Sequence, residues 1–271
     1  MGRQKKFGKM SVVVLVTYVL MIVMNYLSNA LPLNGMTAGE VSDSYSNLFA
    51  PAGYTFAIWG LIYVLLAFHV VYQLGFFRSG ERSDVTQLMQ KIAVYFSLSS
   101  VANALWIVAW HYGKLEVSIV LMIIILVSLI LINGMTVKAD LSFKEKFFIR
   151  LPFSVYFGWI TVATIANITA YFVSIDWDGF GLSDQTWTVI ILIVGTAIGI
   201  ATLLKNWIAS YGFVLVWAYV GIYNEHVSPE GWNEAYPSII LTVSICIILL
   251  GLLSLWVLVK RPRKRVQFGR R

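Results

Sequence analysis

The sequence predicts an all-α, polytopic integral membrane protein of about eight transmembrane helices. Three observations carry this. The 271-residue chain is 59% hydrophobic with a mean hydropathy of +0.77. No soluble single domain hides that much apolar surface, so its solvent is mostly lipid. The apolar residues form eight runs, each of roughly 18 residues or more, the length at which a helix crosses hydrocarbon. The charges collect at the chain ends and between the runs, where membrane topology requires them. Helices are the economical solution, because a backbone in hydrocarbon must satisfy its own hydrogen bonds.

The first run, 10–32, follows the basic residues Arg3, Lys5, Lys6 and Lys9. "SNA" (28–30) looks like a signal-peptide cleavage site, but the apolar stretch is too long for a typical h-region. It is expected to be a permanent helix entered from the cytoplasm. The second run, 55–77, follows the longest outer segment, 33–54, which carries "APAGY". The third and fourth, 90–112 and 115–135, are separated by a short turn holding Lys114. The fifth, 150–173, follows Lys138, Lys144, Lys146 and Arg150. Only Lys205 and Asn206 separate the sixth, 187–204, from the seventh, 207–224. A single helix through both, rising about 1.5 Å per residue, is far too long for one crossing. The eighth, 236–259, ends on the basic tail "KRPRKRVQFGRR".

Charge tests the count. With the amino terminus inside, eight crossings place all but Lys114 of the 20 Lys and Arg residues on the inner side. Glu40, Asp43, Glu116, Asp176, Asp178, Asp184, Glu225, Glu230 and Glu234 face out. Both ends are basic, so the number of crossings must be even. The expectation is an integral protein of a bacterial plasma membrane with both termini cytoplasmic. The net charge of +7 follows this topology, so the lipid bilayer rather than nucleic acid is the expected partner. The single cysteine, Cys246, lies in an apolar run and reads as a small buried hydrophobe.

No Asp, Glu, Lys or Arg lies near the middle of a run, which counts against ion pumps, proton relays, voltage sensors and retinal Schiff bases. His69, His111 and His226 are scattered without metal-ligand spacing. No phosphate loop or nucleophile–base pair is recognisable, so the chain leans away from an enzyme. "NIT" (167–169) matches a glycosylation sequon but falls inside a helix.

What remains is aromatic and amide content: 10 Trp, 14 Tyr and 16 Phe. Trp177, Trp187, Trp207, Trp232 and Trp256 sit in loops or near helix ends, as interfacial anchors do. Trp59, Trp106 and Trp159 sit deeper. Trp59 and Tyr63 share one face of the second helix; Asn103, Trp106 and Trp110 share one face of the third. Tyr156, Trp159, Ala163 and Asn167 form a stripe on the fifth. The three stripes reach overlapping depths in the outer half. Aromatic walls with a few amides suit a small-molecule pocket, and they equally suit helix packing, in which Asn bonds across helices and Trp fills gaps. The segment 33–54 would lie over such a pocket, and loops of that length are commonly lids.

On these residues the chain resembles the TspO/MBR family, the translocator protein or tryptophan-rich sensory protein. "WITVATIAN" (159–167), "NALW" (103–106) and "PAGYTFAIWGLIY" (51–63) match its patterns for the fifth, third and second helices. The likeness covers residue 10 to about 173. Departures are Val155 where the family has proline beside Tyr156, Ala57 in place of an inner proline, and the missing prolines before the second helix. The resemblance implies a five-helix domain over 1–175, three additional helices over 176–259 and a basic tail over 260–271. It implies a tetrapyrrole (porphyrin) or sterol pocket lined by Trp59, Tyr63, Asn103, Trp106, Tyr156, Trp159, Ala163 and Asn167. Sterol is disfavoured, since Tyr171 is followed by Asp176 and Asp178 rather than by a basic residue.

"GTAIG" (195–199) permits close helix contact with a neighbour or with a second copy, as in a homodimer. The leading expectation is therefore a membrane sensor or transporter that binds a flat hydrophobic ligand. The alternative is a small secondary transporter or a permease subunit of a larger export complex, which interruptions in matching halves would favour. An enzyme acting on an isoprenoid or tetrapyrrole ranks last.

Overall fold

The computed structural model describes residues 8–31, 33–77 and 82–260. Arg3, Lys5, Lys6, Arg78 and the basic tail beyond Lys260 lie outside the described residues. Among the described residues there is no strand. The helices are α1 (Lys9–Ala30), α2 (Ala38–Ser44), α3 (Gly53–Gln73), α4 (Ser83–His111), α5 (Leu115–Lys138), α6 (Phe143–Ser174), α7 (Asp184–Asn206), α8 (Ala209–Val227) and α9 (Pro237–Val259). All eight predicted runs are helices. The remaining one, α2, is a 7-residue helix in the first outer segment.

Seven of these, all but α2 and α8, are long and apolar enough to cross a membrane. Helix α8 falls short because it runs past the apolar stretch through Asn224, Glu225 and His226. It still traverses the bundle. Beside its start, the Trp207 indole donates to the Lys260 carbonyl at the end of α9 (2.9 Å). Midway along it, Trp217 Nε1 donates to the Thr55 carbonyl at the start of α3 (3.0 Å), and at its other end His226 Nε2 donates to the Leu48 carbonyl (2.9 Å). Its 19 residues rise about 28 Å, close to the roughly 30 Å hydrocarbon core. Packing against α6 and α9 covers one side of it, while Phe213 and Trp217 remain exposed on the other.

Local chemistry sets the boundaries. Helix α2 opens with a capping box in which Thr37 and Glu40 satisfy each other's backbone N–H groups. Ser142 and Glu145 do the same for α6. The sixth and seventh runs separate because Trp207 turns left-handed (φ 56°) at the end of α7. Near the start of α6, a π turn spans Lys146–Arg150. Pro152 has no N–H to return to the Phe148 carbonyl. The His69 ring nitrogen Nδ1 donates to that oxygen instead (3.0 Å), which accounts for a buried histidine.

Helices α1, α4, α5, α6 and α3 pack in that order around a closed ring. The last three helices attach to one side, with α8 against α6, and α9 against both α8 and α7. Glycines set the close approaches. A Cβ at Gly158 of α6 would lie 2.8 Å from the Tyr211 carbonyl oxygen and from Val214 Cβ of α8. The "GTAIG" face is taken within the chain: Gly195 abuts Tyr219 of α8, and Gly199 abuts Leu215 of α8 and Leu250 of α9.

Candidate ligand-binding site

Three helices of the ring bring their aromatic stripes together. On α3, Trp59 stacks on Tyr63 (ring centroids 5.5 Å apart, 22° between planes). Trp59 also meets Trp159 of α6 at 6.1 Å and 80°. Phe56, in the turn that opens α3, meets Trp159 edge-on at 5.8 Å. On α4, Trp106 stacks on Trp110 (5.7 Å, 20°). Together they wall a cavity of about 150 Å³ under α2. Its lining holds four indoles and no Asp, Glu, Lys or Arg.

Six of the eight residues expected in the pocket line this cavity: Trp59, Tyr63, Trp106, Trp159, Ala163 and Asn167. Asn103 and Tyr156 do not, and both are fully buried deeper in the ring. Asn25 of α1 donates to Asn103 Oδ1 (2.6 Å), and Asn103 donates to the Tyr156 hydroxyl (3.3 Å). A buried amide needs partners, and these three find them in one another across α1, α4 and α6. They form a hydrogen-bonded floor.

Asn167 reaches the cavity edge with its amide already engaged. Its Oδ1 accepts from Trp106 Nε1 (3.0 Å) and its Nδ2 donates to Ser118 Oγ on α5 (2.8 Å). The indole and the carboxamide in the three stripes thus have different duties. Trp159 forms a wall, and Asn167 holds the Trp106 ring in place from across the bundle. Trp159 Nε1 is buried without a hydrogen-bond partner, tolerable while its ring sits edge-on among other aromatics.

Asn167→Leu is accordingly expected to cost about 1–3 kcal/mol of stability, because it strands the buried Trp106 N–H. Thermal unfolding of the purified variant checks this. Wild-type stability would mean that the Trp106 bond is dispensable.

The lid is α2 with its flanking turns. The indole of Trp110 donates to the Ala38 carbonyl (3.2 Å), and Asn34 donates from a left-handed turn (φ 56°) to the His111 carbonyl (3.0 Å). On the lid, backbone and side-chain hydrogen bonds from Thr37 hold the Glu40 carboxyl below its ordinary range, while burial and nearby Glu40 push Asp43 up. The other edge of the lid is tied to α8. His226 Nε2 donates to the Leu48 carbonyl (2.9 Å), the Ala52 amide to the Gly221 carbonyl (3.1 Å), and Asn224 Nδ2 to the Tyr54 hydroxyl (2.6 Å).

A family model described as "TSPO-like protein" matches residues 11–256. The chain belongs to the TSPO-like family. Comparison with curated proteins and with solved structures gives no match. The family match does not stop at the fifth span of this TSPO-like protein; it takes in α7, α8 and most of α9. The ties from α8 to the lid give those helices a structural reason to belong with the rest.

Several cavity residues of the TSPO-like chain escape the sequence stripes. Asn25 and Asn29 lie one turn apart on α1 and both line the cavity. Their spacing is a usable signal, obscured by the likeness of "SNA" to a cleavage site. Trp110, by contrast, is on the α4 stripe and lines the cavity although the resemblance does not name it. Phe56, in the short turn that opens α3, and Ala38, Gly39 and Ser42 of the 7-residue α2 lie in elements too short to show a pattern in sequence. Among the described residues no group of three or more His, Cys, Asp or Glu could hold a metal ion.

Proposed function

We propose that this TSPO-like protein binds a flat hydrophobic ligand such as a porphyrin between its aromatic walls, as a membrane sensor or transporter. The observation that carries this reading is the uncharged cavity walled by Trp59, Trp106, Trp110 and Trp159 beneath a short helical lid. Such a site offers ring faces for stacking and a few amides for orientation. At about 150 Å³ the closed cavity is of the size that holds benzene, and a tetrapyrrole is larger. Binding therefore includes displacement of α2 and Phe56.

Titration of the purified protein with a panel of porphyrins tests the reading. Saturable quenching of tryptophan emission at one ligand per chain is the expected result. Quenching that rises linearly without saturating, as for partition into detergent, would overturn it.

The same proposal places both termini in the cytoplasm and the lid on the opposite side, following the charge distribution. Cys246 is buried, so Cys246→Ala provides a silent background. Ser44, at the end of α2, is exposed, and Phe143, at the start of α6, is 89% exposed. In intact cells Ser44→Cys should react with an impermeant thiol reagent, and Phe143→Cys should react only after lysis. The reverse pattern would invert the orientation.

A further inference from the structure

A second cavity, of about 740 Å³, opens between α5 of the ring and α7 of the added helices. Two stripes run along it toward the same end. On α5 these are Leu126, Ile130, Gly134 and Lys138, each one turn from the last; on α7 they are Ile198, Thr202 and Lys205. The α5 stripe is apolar up to its lysine, the α7 stripe carries Ile198 and Thr202 before its own, and both lysines lie near their helix C-termini. From Leu126 to Lys138 the rise is about 18 Å, close to one leaflet of a hydrocarbon core roughly 30 Å thick.

A lysine at a helix C-terminus complements the helix dipole wherever it occurs. These two differ in converging on one cleft. The lining has no acidic residue, and neither lysine forms an ion pair among the described residues. Asn206 adds amide donors at the same end. The charge pattern suits a single phosphate with an apolar tail attached. It does not suit a zwitterionic headgroup, whose ammonium would meet two lysines and no carboxylate.

We infer that this cleft is a binding site for one anionic glycerophospholipid, its phosphate held by Lys138 and Lys205 and one acyl chain lying along the α5 and α7 stripes. The site is separate from the aromatic cavity, and it gives the seam between the ring and the added helices a lipid component. It does not depend on what the aromatic cavity binds.

Native mass spectrometry of the full chain, with phosphatidylglycerol and phosphatidylcholine of matched acyl chains, tests the inference. Wild type should retain one phosphatidylglycerol in preference to phosphatidylcholine. Lys138→Gln and Lys205→Gln should each weaken retention about fivefold, the effect of one basic residue at an anionic lipid surface. Lys91→Gln, an exposed lysine on α4 outside the cleft, should change nothing. Gly134→Leu supplies a variant without a charge change. A Cβ there meets nothing within 4 Å, so the helix tolerates it while the side chain fills the place of the acyl chain, and phosphatidylglycerol should be lost. Equal retention of both lipids by wild type would overturn the inference. So would unchanged retention in the double lysine variant. A dimer that Gly134→Leu converts to monomer, with lipid retention unaffected, would assign the cleft to a second copy instead.

Discussion

Trp159→Leu is expected to weaken porphyrin binding about fivefold to thirtyfold, the equivalent of roughly 1–2 kcal/mol for one lost aromatic wall. The indole lies 3% exposed, yet its ring borders the cavity and meets both Phe56 and Trp59 edge-on. Its Nε1 has no hydrogen-bond partner to lose, so the substitution removes stacking surface without stranding a polar group. Expression should stay close to wild type, and thermal stability should fall only by the lost packing of the buried ring, about 1–2 kcal/mol. Trp106→Leu removes a second wall but also releases Asn167 Oδ1, so it should lose stability and affinity together. Trp256→Leu is the control. That ring packs on Trp207 (4.7 Å) under Lys260, at the end of the bundle away from the lid. If all three variants titrate with porphyrin as wild type does, the aromatic cluster is packing and the pocket reading fails.

Gly158→Val is expected to give the largest loss of stability. An added Cβ would press on the Tyr211 carbonyl and on Val214 Cβ, both at 2.8 Å. Neither atom sits at the end of a flexible side chain, so α8 itself must shift. Overpacking of this kind costs about 1–3 kcal/mol, and more where backbone is involved. The shift should also disturb the lid, because the bonds to Leu48, Ala52 and Thr55 come from the same helix. Gly60→Val is the comparison: it too lies within a helix, but its Cβ would meet nothing within 4 Å. Equal melting temperatures for the two variants would show that α6 and α8 are not in tight contact.

Most of the fold is legible because lipid imposes a length and a composition on each crossing. The division of 187–224 follows from length alone, and Trp207 realises it by adopting a left-handed turn. Helix α8 is harder to read. Its last turn is polar, since it ends beneath the lid and hydrogen-bonds Leu48 and Tyr54, a use no local pattern reveals. The "GTAIG" stripe announces a close approach without naming the partner, which proves to be α8 and α9.

The site was legible in the same partial way. Spacing at one helical turn places Trp59, Trp106 and Trp159 on inward faces, and all three line the cavity. Depth along a helix does not disclose how a buried amide is paired. Asn103 and Asn167 look alike in sequence, yet one joins the floor with Asn25 and Tyr156 and the other braces an indole at the cavity edge. That distinction depends on neighbours from α1 and α5, remote in the chain.

The unequal fastening of the lid has a mechanical consequence. The Leu48–Thr55 edge is anchored to α8 by several bonds. The opposite edge is secured to α4 by the two side-chain bonds from Asn34 and Trp110. On the proposed function, one edge would act as a hinge and the other as a latch, and a ligand is expected to enter on the α4 side rather than past α8. Unlatching becomes an equilibrium that precedes capture, and measured affinity scales with the open fraction. Releasing one bond of about 1 kcal/mol multiplies that fraction about fivefold. Asn34→Gly keeps the left-handed turn available while deleting its bond, so it should bind porphyrin about fivefold more tightly, chiefly through faster association in stopped-flow quenching. An unchanged association rate would place the door elsewhere.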